Sequence, residues 1–163
     1  MTQQETFTCL YRQYAPGIRK LCRGYTGSAT QAEDLLQESF LAVWNNMHLY
    51  RGDASWGTWI YRIAVNTCLL YLRKEKTRPE KIADDVLLNL AEEEHNQDSE
   101  VQLLYTCISR LPETDRLIIS MVLEELPYED IASIAGITEN NLRVKIHRIK
   151  KQLTDMFNSY ARV

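Results

Sequence analysis

Apolar residues recur along this 163-residue chain at helical rather than strand spacing. The clearest stretch runs from Leu126 to Leu153, LPYEDIASIAGITENNLRVKIHRIKKQL. Ile131, Ile134 and Ala135 give a short apolar face that ends at Gly136. Leu142, Ile146, Ile149 and Leu153 then return at spacings of 4, 3 and 4, the buried stripe of a second helix. Pro127 suits a first helical position, where its missing N–H would be unpaired anyway, and Thr138 can cap the second helix by accepting a backbone N–H. The outward side of that helix is basic, with Arg143, Lys145, His147, Arg148, Lys150 and Lys151, and with Asn140 and Asn141 at its N-terminal end. A short helix, a turn with glycine and a basic second helix predict a helix-turn-helix. Its last helix would read duplex DNA, because Arg and Asn pair bidentately with guanine and adenine edges in the major groove. Arg143, nearer the end that enters the groove first, is the expected base reader, with Arg148 as a second contact.

The earlier chain has the same period. A first helix is expected over about Gln3 to Gly24, with Phe7, Leu10, Tyr11, Tyr14, Ile18, Leu21 and Cys22 inward and a kink at Pro16 and Gly17. A second, opened by Ser28 with Gln31 or by Thr30 with Glu33, runs to about Met47 on a core stripe of Ala32, Leu35, Leu36, Ser39, Phe40 and Val43. Its other side carries Asp34, Gln37, Glu38 and Leu41, which composition alone reads as solvated and which a partner would read as a docking face. After a loop from His48 to Trp56, a third helix from about Gly57 to Lys76 is apolar nearly all round, which predicts neighbours on several sides. Arg62, Asn66 and Arg73 share one polar stripe on it. Trp44, Tyr50, Trp56, Trp59 and Tyr61 lie around these basic residues and Arg51, as single-stranded DNA binding requires; most of the rings read as core, Trp59 among them, and Tyr50 and Trp56 divide evenly between core and base stacking.

Charge separates the chain into three parts. Residues 1 to 76 hold 9 Lys and Arg against 6 acids (+3), residues 77 to 126 hold 4 against 12 (−8), and residues 127 to 163 hold 6 against 4 (+2). Two basic ends and an acidic middle fit two DNA-facing modules and a connector that avoids DNA. Seven acids and no Lys or Arg between Asp84 and Glu100, after Arg78-Pro79, mark that connector; a weak helix over Ile82 to Ala91 and a flexible stretch from His95 to Ser99 are expected within it. Supporting helices follow at about Glu100 to Arg110, with Val101, Leu104, Tyr105 and Ile108 inward, and from Pro112 to Glu125, with Leu117, Ile118, Met121 and Val122 inward. The expected fold is all-α: two small helical domains, 1–76 and 100–163, joined by an acidic flexible linker, 77–99, the second domain a helix-turn-helix.

Function classes narrow accordingly. Cys9, Cys22, Cys68 and Cys107 form no C-x-x-C pair and read as reduced core residues, so neither a metal site nor a disulfide framework is expected. No apolar run is long enough to span a bilayer and the N-terminus MTQQETFT has no apolar signal region, so a cytoplasmic chain without membrane insertion is expected. With no Gly-rich phosphate loop, no H-E-x-x-H and no G-x-S-x-G, neither catalytic residues nor a cofactor are expected. A stand-alone helix-turn-helix repressor would explain the C-terminal part but would leave the second and third helices without a role.

Three segments taken together, AEDLLQESFLAVW, RGDASWGTWIYRIAVNTCLLYLR and LPETDRLIISMVLEELPYEDIASIAGITENNLRVKIHRIKKQL, resemble the extracytoplasmic-function (ECF) type of bacterial RNA polymerase sigma factor. The resemblance covers nearly the whole chain outside the acidic stretch. It implies a transcription initiation factor that binds core RNA polymerase and directs it to promoters. It implies further that Asp34, Gln37, Glu38 and Leu41 dock on the polymerase clamp, and that Tyr50, Arg51, Trp56, Arg62, Asn66 and Arg73 recognise the minus-10 element and hold its opened strand. Asn140, Asn141, Arg143, Val144, His147, Arg148 and Lys151 would read the minus-35 element as duplex. Val144 departs from the small polar or basic residue many relatives carry there. Core polymerase, promoter DNA and an anti-sigma factor are the partners the resemblance admits.

Overall fold

The computed structural model of the chain describes residues 1–75 and 99–161, and among these every regular element is helical. Helix α1 (Gln3–Thr26) starts at a capping box in which Thr2 accepts from the Glu5 backbone N–H and Glu5 accepts from that of Thr2. It continues through Pro16 to Gly27. Helix α2 (Ala29–Asn46) is capped by Ser28, whose hydroxyl accepts from Gln31 N–H at 3.2 Å. All six stripe residues expected of it, Ala32, Leu35, Leu36, Ser39, Phe40 and Val43, are buried. A 3-10 turn (Met47–Leu49) and a loop lead to α3 (Trp56–Glu75), which packs on α1 and α2.

The second half comprises α4 (Ser99–Ser109), α5 (Glu113–Leu123), α6 (Tyr128–Ala135) and α7 (Glu139–Ala161). The α6–α7 pair is the expected helix-turn-helix. Gly136 ends α6 at φ 73°, left-handed backbone that only glycine adopts without strain, and Thr138 Oγ1 accepts from Asn141 N–H at 3.2 Å. Ile131, Leu142, Ile146, Ile149 and Leu153 are buried as the spacing required. Pro127 is the cap residue rather than the first helical one, which it tolerates because a cap's N–H is outside the helix ladder. The acidic stretch 77–99, including the expected weak helix over Ile82 to Ala91, lies outside the described residues except at Ser99, which opens α4.

Helix α1 is the hub: α2 and α3 pack on one side of it, α4 and α5 on another, and α6 also touches α3. The buried cluster therefore runs through both halves without a break. Three features make the junction tight. Gly24 lets Ser120 of α5 approach the α1 backbone. Arg116 of α5 donates through Nη1 to the Tyr25 carbonyl at 3.0 Å and through Nε to the Leu111 carbonyl at 2.7 Å. Lys20 faces Glu124 at 3.7 Å.

Some expected inward residues are not inward. Tyr11, Val101 and Cys9 are exposed. Tyr11 lies at the open end of the α1–α2 pair, its ring against Phe40 on one side and water on the other. Val101 is in the first turn of α4 and borders open hollows that it shares with Lys20 of α1 and Leu123 of α5. Cys22, Cys68 and Cys107 are buried and free. The neighbouring Cys22 and burial push the Cys68 thiol well up, which keeps it an inert core group.

Candidate polymerase and nucleic-acid interfaces

The residues singled out fall on three separate surfaces. On α2, Asp34, Gln37, Glu38 and Leu41 all face solvent, and Leu41 is 60% exposed, high for a leucine on a helix whose opposite face is fully buried. Trp44 continues this face, 37% exposed. An aromatic knot fixes its base: Phe7 meets Trp44 edge-on at 5.2 Å and Phe40 at 6.1 Å, Tyr11 meets Phe40 at 4.8 Å, and Gln3 Nε2 donates to the Trp44 carbonyl. The sequence groups Trp44 with the aromatics around the third helix, whereas it stands on this α2 face. Its position three residues after Leu41 was the available signal.

The second surface is the loop before α3 and the outer stripe of that helix. Tyr50 stacks on Trp56 with ring centroids 3.6 Å apart and planes 19° from parallel, and Trp59 closes the group edge-on, 5.6 Å from Tyr50 and 5.5 Å from Trp56. All three rings are half-buried, so none is simply core. Tyr50 Oη donates to the Ala54 carbonyl at 2.6 Å, pinning the loop, and Ser55 caps α3 by accepting from Thr58 N–H. Arg51, Asn66 and Arg73 are exposed. Arg62 is half-buried because its Nη2 donates to Ser133 Oγ on α6 at 2.8 Å, across the junction between the halves. The pattern places Arg62 on the stripe but carries no sign of that partner, 71 residues away.

The third surface is the outer face of α7, where Asn140, Asn141, Arg143, Val144, His147, Arg148 and Lys151 are all exposed. Its charges are not equally free. The Arg143 guanidinium lies 3.7 Å from Glu139 and 5.9 Å from the centre of the Tyr128 ring, and Lys145 lies 3.5 Å from Asp115. Both pairs are at least partly solvated, so each contributes about 1 kcal/mol at most and exchanges readily for a phosphate. Among the described residues no group of His, Cys, Asp and Glu is arranged to hold a metal, and no helix is long and apolar enough to cross a membrane.

Two family models match the chain. Residues 10–78 match the family described as Sigma-70 region 2, and residues 101–153 match Sigma-70, region 4. The chain is 30% identical to the ECF RNA polymerase sigma-E factor of Haemophilus influenzae, over 92% of this chain and 86% of that one. It is also 30% identical to the sigma-E factor of Escherichia coli K12, over 92% and 85%. Among solved structures, the sigma factor RpoE in complex with the anti-sigma factor NepR from Bartonella quintana superposes with a TM-score of 0.73 at 16% identity, covering 94% of this chain and 98% of that one. CnrH in complex with the cytosolic domain of CnrY gives 0.68, also at 16% identity, covering 96% and 90%. At that identity the structural likeness speaks for the fold.

Proposed function

Because the chain belongs to the ECF group of RNA polymerase sigma factors, non-enzymatic proteins that bind core polymerase and promoter DNA, we propose that its three surfaces divide that task. Asp34, Gln37, Glu38, Leu41 and Trp44 dock on the polymerase clamp. Tyr50, Arg51, Trp56, Arg62, Asn66 and Arg73 recognise the minus-10 element and hold its displaced strand, the mutual stack of Tyr50 and Trp56 opening to take up an unpaired base at about 1 to 3 kcal/mol per base stacked. The outer face of α7 reads the minus-35 element as duplex. Asn140 and Arg148 are the base readers, Arg148 having no carboxylate within salt-bridge distance among the described residues and lying close to the outermost line of the helix. Although its place nearer the helix N-terminus marks Arg143 as the base reader, Glu139 holds it at the edge of the face, so it is assigned to phosphate instead. The protein acts in the cytoplasm, where the polymerase is. An anti-sigma protein is a further partner, a reading supported by the NepR complex of the similar RpoE.

The observation that carries this reading is the agreement of chemistry with family region: the aromatic stack and the Arg62–Asn66–Arg73 stripe fall within the region 2 match, and the exposed basic face of α7 falls within the region 4 match. The test is transcription by core polymerase with the full chain on a library randomised at both elements, followed by permanganate probing of the selected promoters. Enrichment at both elements, with reactive thymines at minus 10 that Trp56→Ala abolishes, is the expected result. Enrichment at neither, or opening that Trp56→Ala leaves intact, defeats the assignment.

A further inference from the structure

Val144 lies, with Lys151, on the outermost line of α7. At about 100° per residue it lies roughly 140 to 180° around the helix from Leu142, Ile146, Ile149 and Leu153, all of which are buried, and it is 58% exposed. Asn140 and Arg148 lie about 40° to either side of it, Lys151 about 20° and His147 about 60°. Arg143 and Lys145 stand about 100° away on opposite flanks, each turned to a carboxylate of the protein's own. The centre of a polar, basic face is thus an aliphatic side chain.

Helix formation does not account for it. Valine forms helix less well than Lys, Arg or Ala because its branched Cβ restricts χ1, and its side chain here is largely exposed rather than packed. A groove of duplex DNA supplies what water does not. The edges of the four base pairs in the major groove offer polar donors and acceptors throughout, with one apolar group among them, the 5-methyl of thymine. We infer that Val144 selects a thymine in the minus-35 element by packing its isopropyl group against that 5-methyl, between bases contacted by Asn140 and Arg148. This rests on the reading of α7 as the minus-35 helix.

The test replaces each thymine of a library-selected minus-35 element in turn, on either strand, by deoxyuridine, which deletes the methyl and keeps every hydrogen-bonding group. Binding is measured with the holoenzyme of core polymerase and the full chain. One position is expected to weaken wild-type binding about fourfold, the worth of one buried methyl group. Val144→Ala should bind the thymine promoter correspondingly less well and no longer distinguish thymine from deoxyuridine at that position, while Val144→Ile keeps the distinction. An unchanged thymine preference in Val144→Ala, or a selected element in which no deoxyuridine matters, overturns the inference while leaving α7 as reader. Absence of any minus-35 preference in the library overturns the reading of α7 itself. Unaltered thermal unfolding of both variants confirms that recognition, not folding, is being measured.

Discussion

Gly17→Ala is expected to destabilise the protein although alanine is the better helix former. In an open helix the exchange gains about 1 kcal/mol. Gly17 is buried in α1, and a methyl group there would meet the hydroxyl of Tyr61 on α3, the end of a rigid ring, with Oε2 of Glu124, the residue that caps α5, 3.0 Å away. Forcing a methyl into filled space costs about 1 to 3 kcal/mol. The net loss is about 1 kcal/mol, or roughly 3 °C in melting temperature for a chain of this size. Tyr61→Phe removes the obstructing atom and leaves the ring; because that hydroxyl borders the hollow between α1, α3 and the α5–α6 turn, this change alone should cost about 1 kcal/mol or less. In the Tyr61→Phe background Gly17→Ala should then stabilise by about 0.5 to 1 kcal/mol. Urea titration of the four proteins gives the coupling directly, expected at about 1 to 3 kcal/mol. The same sign and size of Gly17→Ala in both backgrounds would refute the steric argument.

Asp34→Ala with Gln37→Ala should leave the urea midpoint nearly unchanged, each exposed substitution contributing within about 0.5 kcal/mol, and should weaken binding to core polymerase at least tenfold by competition assay; undiminished affinity removes the docking assignment. In a promoter library, Arg148→Ala should relax preference at one minus-35 position, whereas Arg143→Ala should weaken all sequences alike and reduce the salt dependence of binding; the reverse pattern exchanges their roles. Stability should decline at alkaline pH. Burial raises the Tyr25 and Tyr61 phenols well above the ordinary 10.0, and the contact with Cys22 together with burial raises the Cys68 thiol above 9.0. The unfolded chain loses these protons first, so the stabilisation is complete below pH 9 and disappears as pH rises through the folded values. Urea midpoints that stay level from pH 8 to pH 11 would contradict this.

Periodicity predicts best where one face of a helix is wholly buried and the other wholly wet. The α2 stripe and the Leu142–Leu153 stripe are such cases, and every residue in them falls as the spacing requires. It predicts less well where a helix serves two neighbours. The spacing in α1 predicts a single inner face, yet Gly17, Gly24 and Tyr25 form a second one that receives the other half of the chain. Two glycines seven residues apart, nearly in line on a helix, were the available sign of that close approach. Of the candidate sites, exposure was legible because polar side chains off the core stripe have nowhere else to go. Their pairings were not: Arg62 with Ser133 joins residues 71 apart in sequence, and the Arg143 guanidinium beside Tyr128 depends on how α6 crosses α7. Local spacing constrains the face a residue occupies, and only tertiary packing sets its partners.

The hydrogen bond from Arg62 to Ser133 has a thermodynamic consequence for promoter choice under the proposed assignment. Elements centred near minus 10 and minus 35 are roughly 25 base pairs and therefore about 85 Å apart, whereas a packed chain of this length is about 40 Å across. The packed arrangement and occupancy of both elements exclude one another. The free energy of parting α1 and α3 from α4, α5 and α6 therefore enters the affinity for every promoter as a common factor, tenfold for each 1.4 kcal/mol of packing. Ser133, which reads no base on this assignment, thereby adds its share to how strong a promoter must be before the chain will unfasten to occupy it.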